Sequence, residues 1–417
     1  MRILSILPYS PFPAHFGGAL RMYNLLREMM RTHEVSVIMY GTPAEKALVT
    51  ESFGGKLKSI RAVEKPLKSA SLHKRWAQMR SLFDARSATT QSYYSDAMQR
   101  EIDSAVSENA FDLVQREFLV MGLFRAECPG AVHILDAHNV EYDCVRRMAQ
   151  ASHSPIRRAF YGMEYRKMYQ EETEIYGRQD ALLVTSSRDK SLLDKDLRHI
   201  PKFVIPNGVD ASYFLPSTDS PEPDSLVFTG AMNYFPNVDG ILFFLKETLP
   251  LIRKQVPHIR VYVVGGRPPR QLVSMASRDV IVTGFVKDVR PYVHRASVYI
   301  VPLRMGGGTR LKVLEALAME KPVVTTSVGC EGINVEDRHS ALIADSPESF
   351  AASVVELLRD GGLRRSLATN GRELIRTHYE WSAIGESLNE VYNSIVTQNR
   401  NPGAPRMLDA RAAMIKS

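Results

Sequence analysis

Cysteine is scarce in this chain. Three occur in 417 residues, Cys128, Cys144 and Cys330, and they form no Cys-x-x-Cys pair and no Cys/His cluster. Neither a disulfide framework nor a zinc site fits, and a reducing cytoplasm is the natural compartment. Long apolar runs are absent too: none approaches the roughly 18–20 residues of a membrane span. The run Ile3-Leu4-Ser5-Ile6-Leu7 stops at Pro8. It is too short for a signal-peptide core and reads as a first buried strand. The Gly-x-Gly-x-x-Gly fingerprint of a dinucleotide site does not follow that strand, and no acidic residue suited to a nicotinamide ribose stands about 20 residues on. No internal repeat is found.

What is present is ordinary in bulk. Hydrophobic residues make up 44% and charged residues 24%, as in a globular enzyme, and the length asks for two domains. The net charge of +7 points to an anionic partner without naming it: nucleic acid, nucleotide, phospholipid and phosphorylated acceptor all qualify. Short apolar runs alternate with helical patterns twice over. Strands are expected at Ile3–Leu7, Val35–Met39, Leu113–Gln115, His133–Leu135, Ala181–Thr185 and Phe203–Ile205. They are expected again at Leu226–Thr229, Arg260–Val264, Val280–Thr283, Val298–Val301, Val323–Thr326 and Leu342–Ala344. This βα alternation predicts an α/β protein of two Rossmann-like, doubly wound domains facing across a cleft. The expected boundaries are 1–212 for the first domain, 213–224 for a Ser/Pro-rich linker, and 225–378 for the second domain. A helix at 379–396 and a polar, frayed tail at 397–417 follow. Two basic stretches interrupt the first half. One runs from Pro66 to Gln99 with Trp76, Phe83, Tyr93 and Tyr94; the other, from Arg146 to Arg166, has a helical pattern.

The most informative segment runs from Gly306-Gly307-Gly308-Thr309-Arg310 through Leu311-Lys312-Val313-Leu314-Glu315. Glycines end a loop and a helix begins. Arg310 and Lys312 in a first helical turn oppose the helix dipole by roughly 0.3–1 kcal/mol each. An anion bound at the helix start would offset this. Glu315, about one turn on, could accept hydrogen bonds from sugar hydroxyls. A diphosphate attached to a ribose fits these features; a plain glycine-rich turn with solvated charges is the alternative. Other candidates stand at expected strand ends, where doubly wound sheets bind ligands. His15, Gly17 and Gly18 follow the first strand. Asp136, His138 and Asn139 follow the strand ending at Leu135. Gly230 ends the second domain's first strand, and Phe285 with Val286 could hold a flat base. Asn207-Gly208 reads as a turn and a hinge.

In this order and spacing the pieces resemble the GT-B-fold, nucleotide-sugar-dependent retaining glycosyltransferases of family 4, also called group 1. The anchors are Gly17-Gly18, Ile205-Pro206-Asn207-Gly208-Val209-Asp210, Thr229-Gly230, Thr283-Gly284-Phe285-Val286 and Pro302 through Val324. The resemblance implies transfer of a sugar from a UDP- or GDP-linked donor to a glycan or lipid-linked acceptor, in cell-surface or exopolysaccharide synthesis. Glu315 matches the second of the family's two donor-site glutamates; Gly307 stands where the first is usual. Met232, Asn233 and Asn237 occupy the stretch where many members carry an Arg and a Lys, so Arg310, Lys312 or both are expected to neutralise the diphosphate. The two cannot point the same way, and Arg310 is expected to carry the larger share because first-turn side chains lean back towards the helix start and its fork suits a phosphate. His138 matches a histidine placed near the reacting sugar, and His138 and Arg310 are the expected catalytic residues. The donor set is Gly17, Gly18, Gly230, Phe285, Val286, Gly307, Gly308, Thr309, Arg310, Lys312 and Glu315; His15, Asp136 and Asn139 lie on the acceptor side. No Asp-x-Asp motif suggests a metal-held diphosphate, so neither a metal nor another cofactor is expected. The basic stretches suggest docking on an anionic membrane from the cytoplasmic side. Two readings compete: a nucleotide-sugar 2-epimerase of the same fold, and a basic non-catalytic nucleic-acid binder. The latter lacks clustered basic-aromatic motifs, and no nucleic-acid partner is expected.

Overall fold

A computed structural model describes residues 1–65, 86–151, 154–306 and 308–400 of the chain. Trp76 and Phe83 of the basic insertion, Gly307 of the glycine loop and the tail beyond residue 400 lie outside the described residues. The chain divides into two units. One comprises Met1–Ile205 together with the chain from Gly385; the other is Pro206–Ile384.

The first unit is built on a parallel sheet of seven strands among the described residues. They are β1 (Arg2–Leu7), β2 (Glu34–Tyr40), β3 (Ser59–Val63), β4 (Leu113–Glu117), β5 (Val132–Ala137), β6 (Ala181–Val184) and β7 (Lys202–Val204), in the spatial order 3-2-1-4-5-6-7. Neighbours Ile3 and Leu4 are both fully buried. Adjacent strand residues face opposite ways, so both faces of the sheet are covered, which is why the strands read as continuous apolar runs. β3 escapes the sequence reading because it is an edge of mixed polarity, paired to β2 from Ser36 opposite Ser59 onward. The order reverses between β1 and β4. Loops leaving that point diverge and open a crevice at the strands' carboxyl ends.

The second unit repeats the scheme with six parallel strands: β8 (Ser225–Thr229), β9 (Arg260–Val264), β10 (Val280–Gly284), β11 (Val298–Val301), β12 (Val323–Thr325) and β13 (Leu342–Ile343), in the order 10-9-8-11-12-13. Its reversal lies between β8 and β11. A single apolar cluster fills it, drawing in the Leu311–Ala318 helix through Val313, Leu314 and Leu317.

Two local expectations are corrected. Asn207-Gly208 makes no tight turn: Val209 bridges to Glu380 and its N–H donates to the Tyr379 carbonyl. Gly208 is needed for packing instead, since a Cβ there would lie 2.7 Å from the Trp381 ring. The final helix runs Trp381–Arg400, past the expected end, because the Arg400 guanidinium is held by Asp112 Oδ1 at 2.6 Å. From Gly385 that helix packs within the first unit; a Cβ on Gly385 would lie 2.7 Å from Glu28 Cβ.

Candidate functional site

At the reversal of the second sheet, β8 ends at Thr229, Gly230 follows it, and the loops there meet with no room for side chains. Gly230 (φ 154°) and Gly265 (φ 158°) take backbone conformations open to glycine. A Cβ on Gly265 would lie 1.8 Å from the Gly230 carbonyl oxygen, and one on Gly230 only 2.6 Å from Lys312 Nζ. Lys312 therefore reaches from the start of the Leu311–Ala318 helix to the end of β8. Its ammonium donates to Asn237 Oδ1 at 2.7 Å and lies 4.2 Å from the Phe228 ring centroid. Asn237 in turn donates to the Ala231 carbonyl at 2.9 Å. Burial pushes Lys312 down to about 7, against the pull of Glu315. The same burial pushes Glu315 up to about 7, opposed by Lys312. Near neutral pH this pair carries labile protons in a confined corner.

Arg310 differs from its expected place. The helix starts at Leu311, with Arg310 as the residue before it (φ −83°, ψ 83°), so only Lys312 stands in the first turn. The Arg310 guanidinium folds back under the glycine loop: Nη1 donates to the Gly308 carbonyl at 2.5 Å, and a Cβ on Gly306 would lie 2.9 Å from Nη2. Arg310 and Lys312 do diverge, with Arg310 buried against the loop and Lys312 aimed at Gly230. Thr309 and Gly308 are half-buried beside them. Gly284 (φ 71°) ends β10, and the next residue, Phe285, is 80% exposed. Val286 is half-buried. Behind the corner, the hydroxyls of Thr229 and Tyr299 share a hydrogen bond of 2.5 Å that ties β8 to β11. An ammonium suited to a diphosphate, a carboxylate suited to hydroxyls, and an exposed ring thus belong to one sheet end.

In the first unit the reversal gathers a charged network. Arg21, on the Gly17–Met29 helix, donates from Nε and Nη2 to the two carboxylate oxygens of Asp136, both at 2.9 Å. The pair is 1% and 0% exposed. Asp136, expected on the acceptor side, is thereby committed to holding that helix on β5. His138 Nε2 lies 2.7 Å from Glu117 Oε2 and 3.8 Å from Asp136 Oδ2. Burial lowers the imidazole to about 3, so it is neutral, and raises Glu117 to about 7. Gln115 Nε2 donates to Glu117 Oε1 at 2.6 Å, and the Tyr392 hydroxyl donates to Gln115 Oε1. Phe118, with φ 65°, stacks on the His138 ring at 3.7 Å between centroids. Asn139 is half-buried at the head of the next helix, where it hydrogen-bonds Glu141. His15 and Gly17 are exposed; Gly18 is packed so closely that a Cβ would lie 2.2 Å from the Tyr9 hydroxyl.

Arg21, Gln115, Glu117 and Phe118 escaped the sequence reading. For Gln115 and Glu117 the signal was the run Leu113-Val114-Gln115-Arg116-Glu117, three polar residues in a segment that folds as a fully buried strand. Polar groups are buried only with partners, so such a run marks a network. Glu117, Asp136 and His138 also form a set of metal-ligand type, their donor atoms within 4.8 Å of one another. Arg21 covers Asp136 and His138 covers Glu117, so the set closes on itself. Arg146 and Arg147 of the second basic stretch share the Asp143 carboxylate with Arg188. Arg157 and Arg158 are exposed next to Ile156, which is 83% exposed. No helix among the described residues is long and apolar enough to cross a membrane.

Residues 223–360 match the family described as glycosyl transferases group 1. The chain is 21% identical over 399 residues to a 44.6 kDa protein in the cps region of Klebsiella pneumoniae, covering 93% of this chain and 98% of that protein. It is 26% identical over 224 residues to the glycosyltransferase MJ1178 of Methanocaldococcus jannaschii, covering 52% of this chain and 60% of that one. In fold it is similar to the solved structure of Anabaena Alr3699/HepE in complex with UDP. The TM-score is 0.67 at 13% identity, over 94% of this chain and 100% of that one. The family match lies over the sheet that holds the Lys312 corner, the likeness in fold extends through both units, and the chain is similar to the group 1 glycosyltransferases.

Proposed function

We propose that the protein is a retaining glycosyltransferase that moves a sugar from a UDP- or GDP-linked donor to a glycan or lipid-linked acceptor. The observation that carries this is the Lys312–Glu315 corner closed against Gly230. Lys312 and the amides around Gly230 and Gly308 grip the diphosphate. Arg310 braces the glycine loop and adds charge from behind, a share smaller than the sequence suggested. Glu315 accepts from the ribose hydroxyls, and Phe285 covers the base. In the transfer, the bond between the anomeric carbon and the donor phosphate oxygen breaks. The acceptor oxygen bonds to the same face of that carbon, and its proton passes to the departing phosphate. The grip on the diphosphate stabilises the charge that develops there. Fixed donors supply this charge, so the reaction runs without a metal. His138, neutral and held in place, orients a hydroxyl of the reacting sugar.

The cps-region relative supports a role in surface polysaccharide synthesis. Exposed Ile156 beside Arg157 and Arg158 supports peripheral docking on an anionic membrane at the cytoplasmic face. The test is a thermal-shift screen of UDP-, GDP-, ADP- and dTDP-sugars with and without EDTA. A ligand at 100 times its Kd stabilises its unit by about 2.7 kcal/mol. One class of sugar nucleotide should raise the transition equally in both conditions. A flat response to all of them removes the donor site, and a response abolished by EDTA removes metal independence. Flotation with phosphatidylglycerol vesicles at low salt tests the membrane role, which fails if the protein stays in solution.

A further inference from the structure

Two carboxylates flank the Nε2 atom of His138, and only one is available to it. Asp136 spends both oxygens on Arg21 and stands 3.8 Å away; Glu117 stands at 2.7 Å. Behind Glu117 the bonding directions are forced. At pH 8, above its raised pKa of about 7, Glu117 is ionised and only accepts, so the part of Gln115 that meets it at 2.6 Å must be the NH2 group. The Gln115 carbonyl oxygen then points away and accepts from the Tyr392 hydroxyl, whose oxygen also lies 3.2 Å from Met29 Sδ. With one Glu117 oxygen taken by Gln115, the other accepts a hydrogen bond from His138 Nε2–H. A separate feature fixes the plane of the ring. Phe118 follows Glu117 directly and holds a left-handed backbone conformation, φ 65°, that an aromatic residue rarely adopts. In it, the ring lies stacked on the His138 imidazole at 3.7 Å between centroids. Strain of this kind persists where the surroundings enforce it and clusters at functional positions.

We propose that Glu117 is the positioning residue of His138: backed by Gln115 and Tyr392, it holds the imidazole as the Nε2–H tautomer, with Nδ1 left as the acceptor nitrogen for a ligand hydroxyl. The part that concerns a ligand rests on the glycosyl-transfer reading; the tautomer does not. Tyr392 lies on the closing helix, so the C-terminal segment is part of the support for a residue some 250 positions earlier in the chain. A neutral imidazole has two tautomers, and which nitrogen meets a ligand is decided by the bond the other one makes.

The experiment is a long-range proton–nitrogen NMR spectrum of histidine-labelled full-length protein at pH 8, with the His138 signals identified by their loss in His138→Ala. Wild type should show a protonated Nε2 and an unprotonated Nδ1. In Glu117→Gln, the Gln115 NH2 group takes the new amide oxygen, so the new NH2 group faces His138 Nε2, which must then accept. The ratio should turn over to a majority of Nδ1–H. Tyr392→Phe leaves the carboxylate in place and should keep Nε2–H. The double variant frees Gln115 to turn and should move the ratio part of the way back. A wild-type spectrum in which the His138 signals show Nδ1–H or a mixture overturns the proposal, even if neither Glu117→Gln nor Tyr392→Phe folds. So does an unchanged tautomer in Glu117→Gln. Once a donor is found, Glu117→Gln should lower kcat at least tenfold with KM within about threefold of wild type. The spectra need no substrate, so failure of the transfer reading and failure of the tautomer are told apart.

Discussion

Replacing Lys312 by methionine separates its charge from its packing. The methionine stem still fills the space over Phe228, while the ammonium and its 2.7 Å bond to Asn237 are lost. A hydrogen bond to a charged group is worth about 1.5–3 kcal/mol. Affinity for the free nucleoside diphosphate should therefore fall about 10- to 150-fold at pH 7. The structure adds a second, sharper consequence. Burial holds Lys312 at about 7. Above that pH most molecules present a neutral amine, and a bound diphosphate restores the charge. Binding then takes up a proton, and affinity falls as pH rises, by up to about tenfold per unit between pH 7.5 and 9. Glu315 titrates in the same range, and the nucleotide has its own ionisations. The diagnostic quantity is thus the difference in slope between wild type and Lys312→Met. Titration calorimetry in two buffers of unlike ionisation enthalpy reads both the affinity and the proton count. Affinities within twofold at pH 7, or parallel pH slopes, would refute the assignment of the diphosphate to Lys312.

Two further predictions concern the other parts of the site. Arg21→Met leaves Asp136 charged, buried and unpaired, which should destabilise the first unit by about 3–5 kcal/mol in urea unfolding, whereas Arg21→Met with Asp136→Leu should recover most of the loss. A single-variant cost below about 1 kcal/mol would mean the pair does not hold the helix to the sheet. Phe285→Ala should leave the urea midpoint unchanged, because the ring is 80% exposed, and should weaken nucleotide binding by about 1–3 kcal/mol, the range for aromatic–base stacking. Unchanged binding would place the base elsewhere.

Much of the architecture was legible because parallel strands covered on both faces must be apolar throughout. Ile3–Leu7 and Val298–Val301 announce themselves, and the strand order places their loops at the two reversals. The edge strand Ser59–Val63 did not, because it has one poorly covered side and a mixed composition. The glycine loop before Leu311 was legible for a similar reason: three consecutive glycines are rarely neutral in a helix approach. The direction of the side chains that follow was not. Whether Arg310 or Lys312 meets the end of β8 depends on where the helix begins, and a shift of one residue turns a side chain by about 100°. Asn207-Gly208 misled because the same dipeptide serves a turn and a close approach, and only the Trp381 ring distinguishes them.

Sequence by itself determined the class of fold, the two sheets and the strand ends where chemistry belongs, since these follow from local periodicity and from residues next to one another in the chain. Tertiary structure decided which polar groups meet. Arg21 and Asp136 are 115 residues apart, and Tyr392 and Gln115 are 277 apart. No local rule links such positions; the need of a buried charge or hydrogen bond for a partner does, and that need is met only when the strands have been laid side by side.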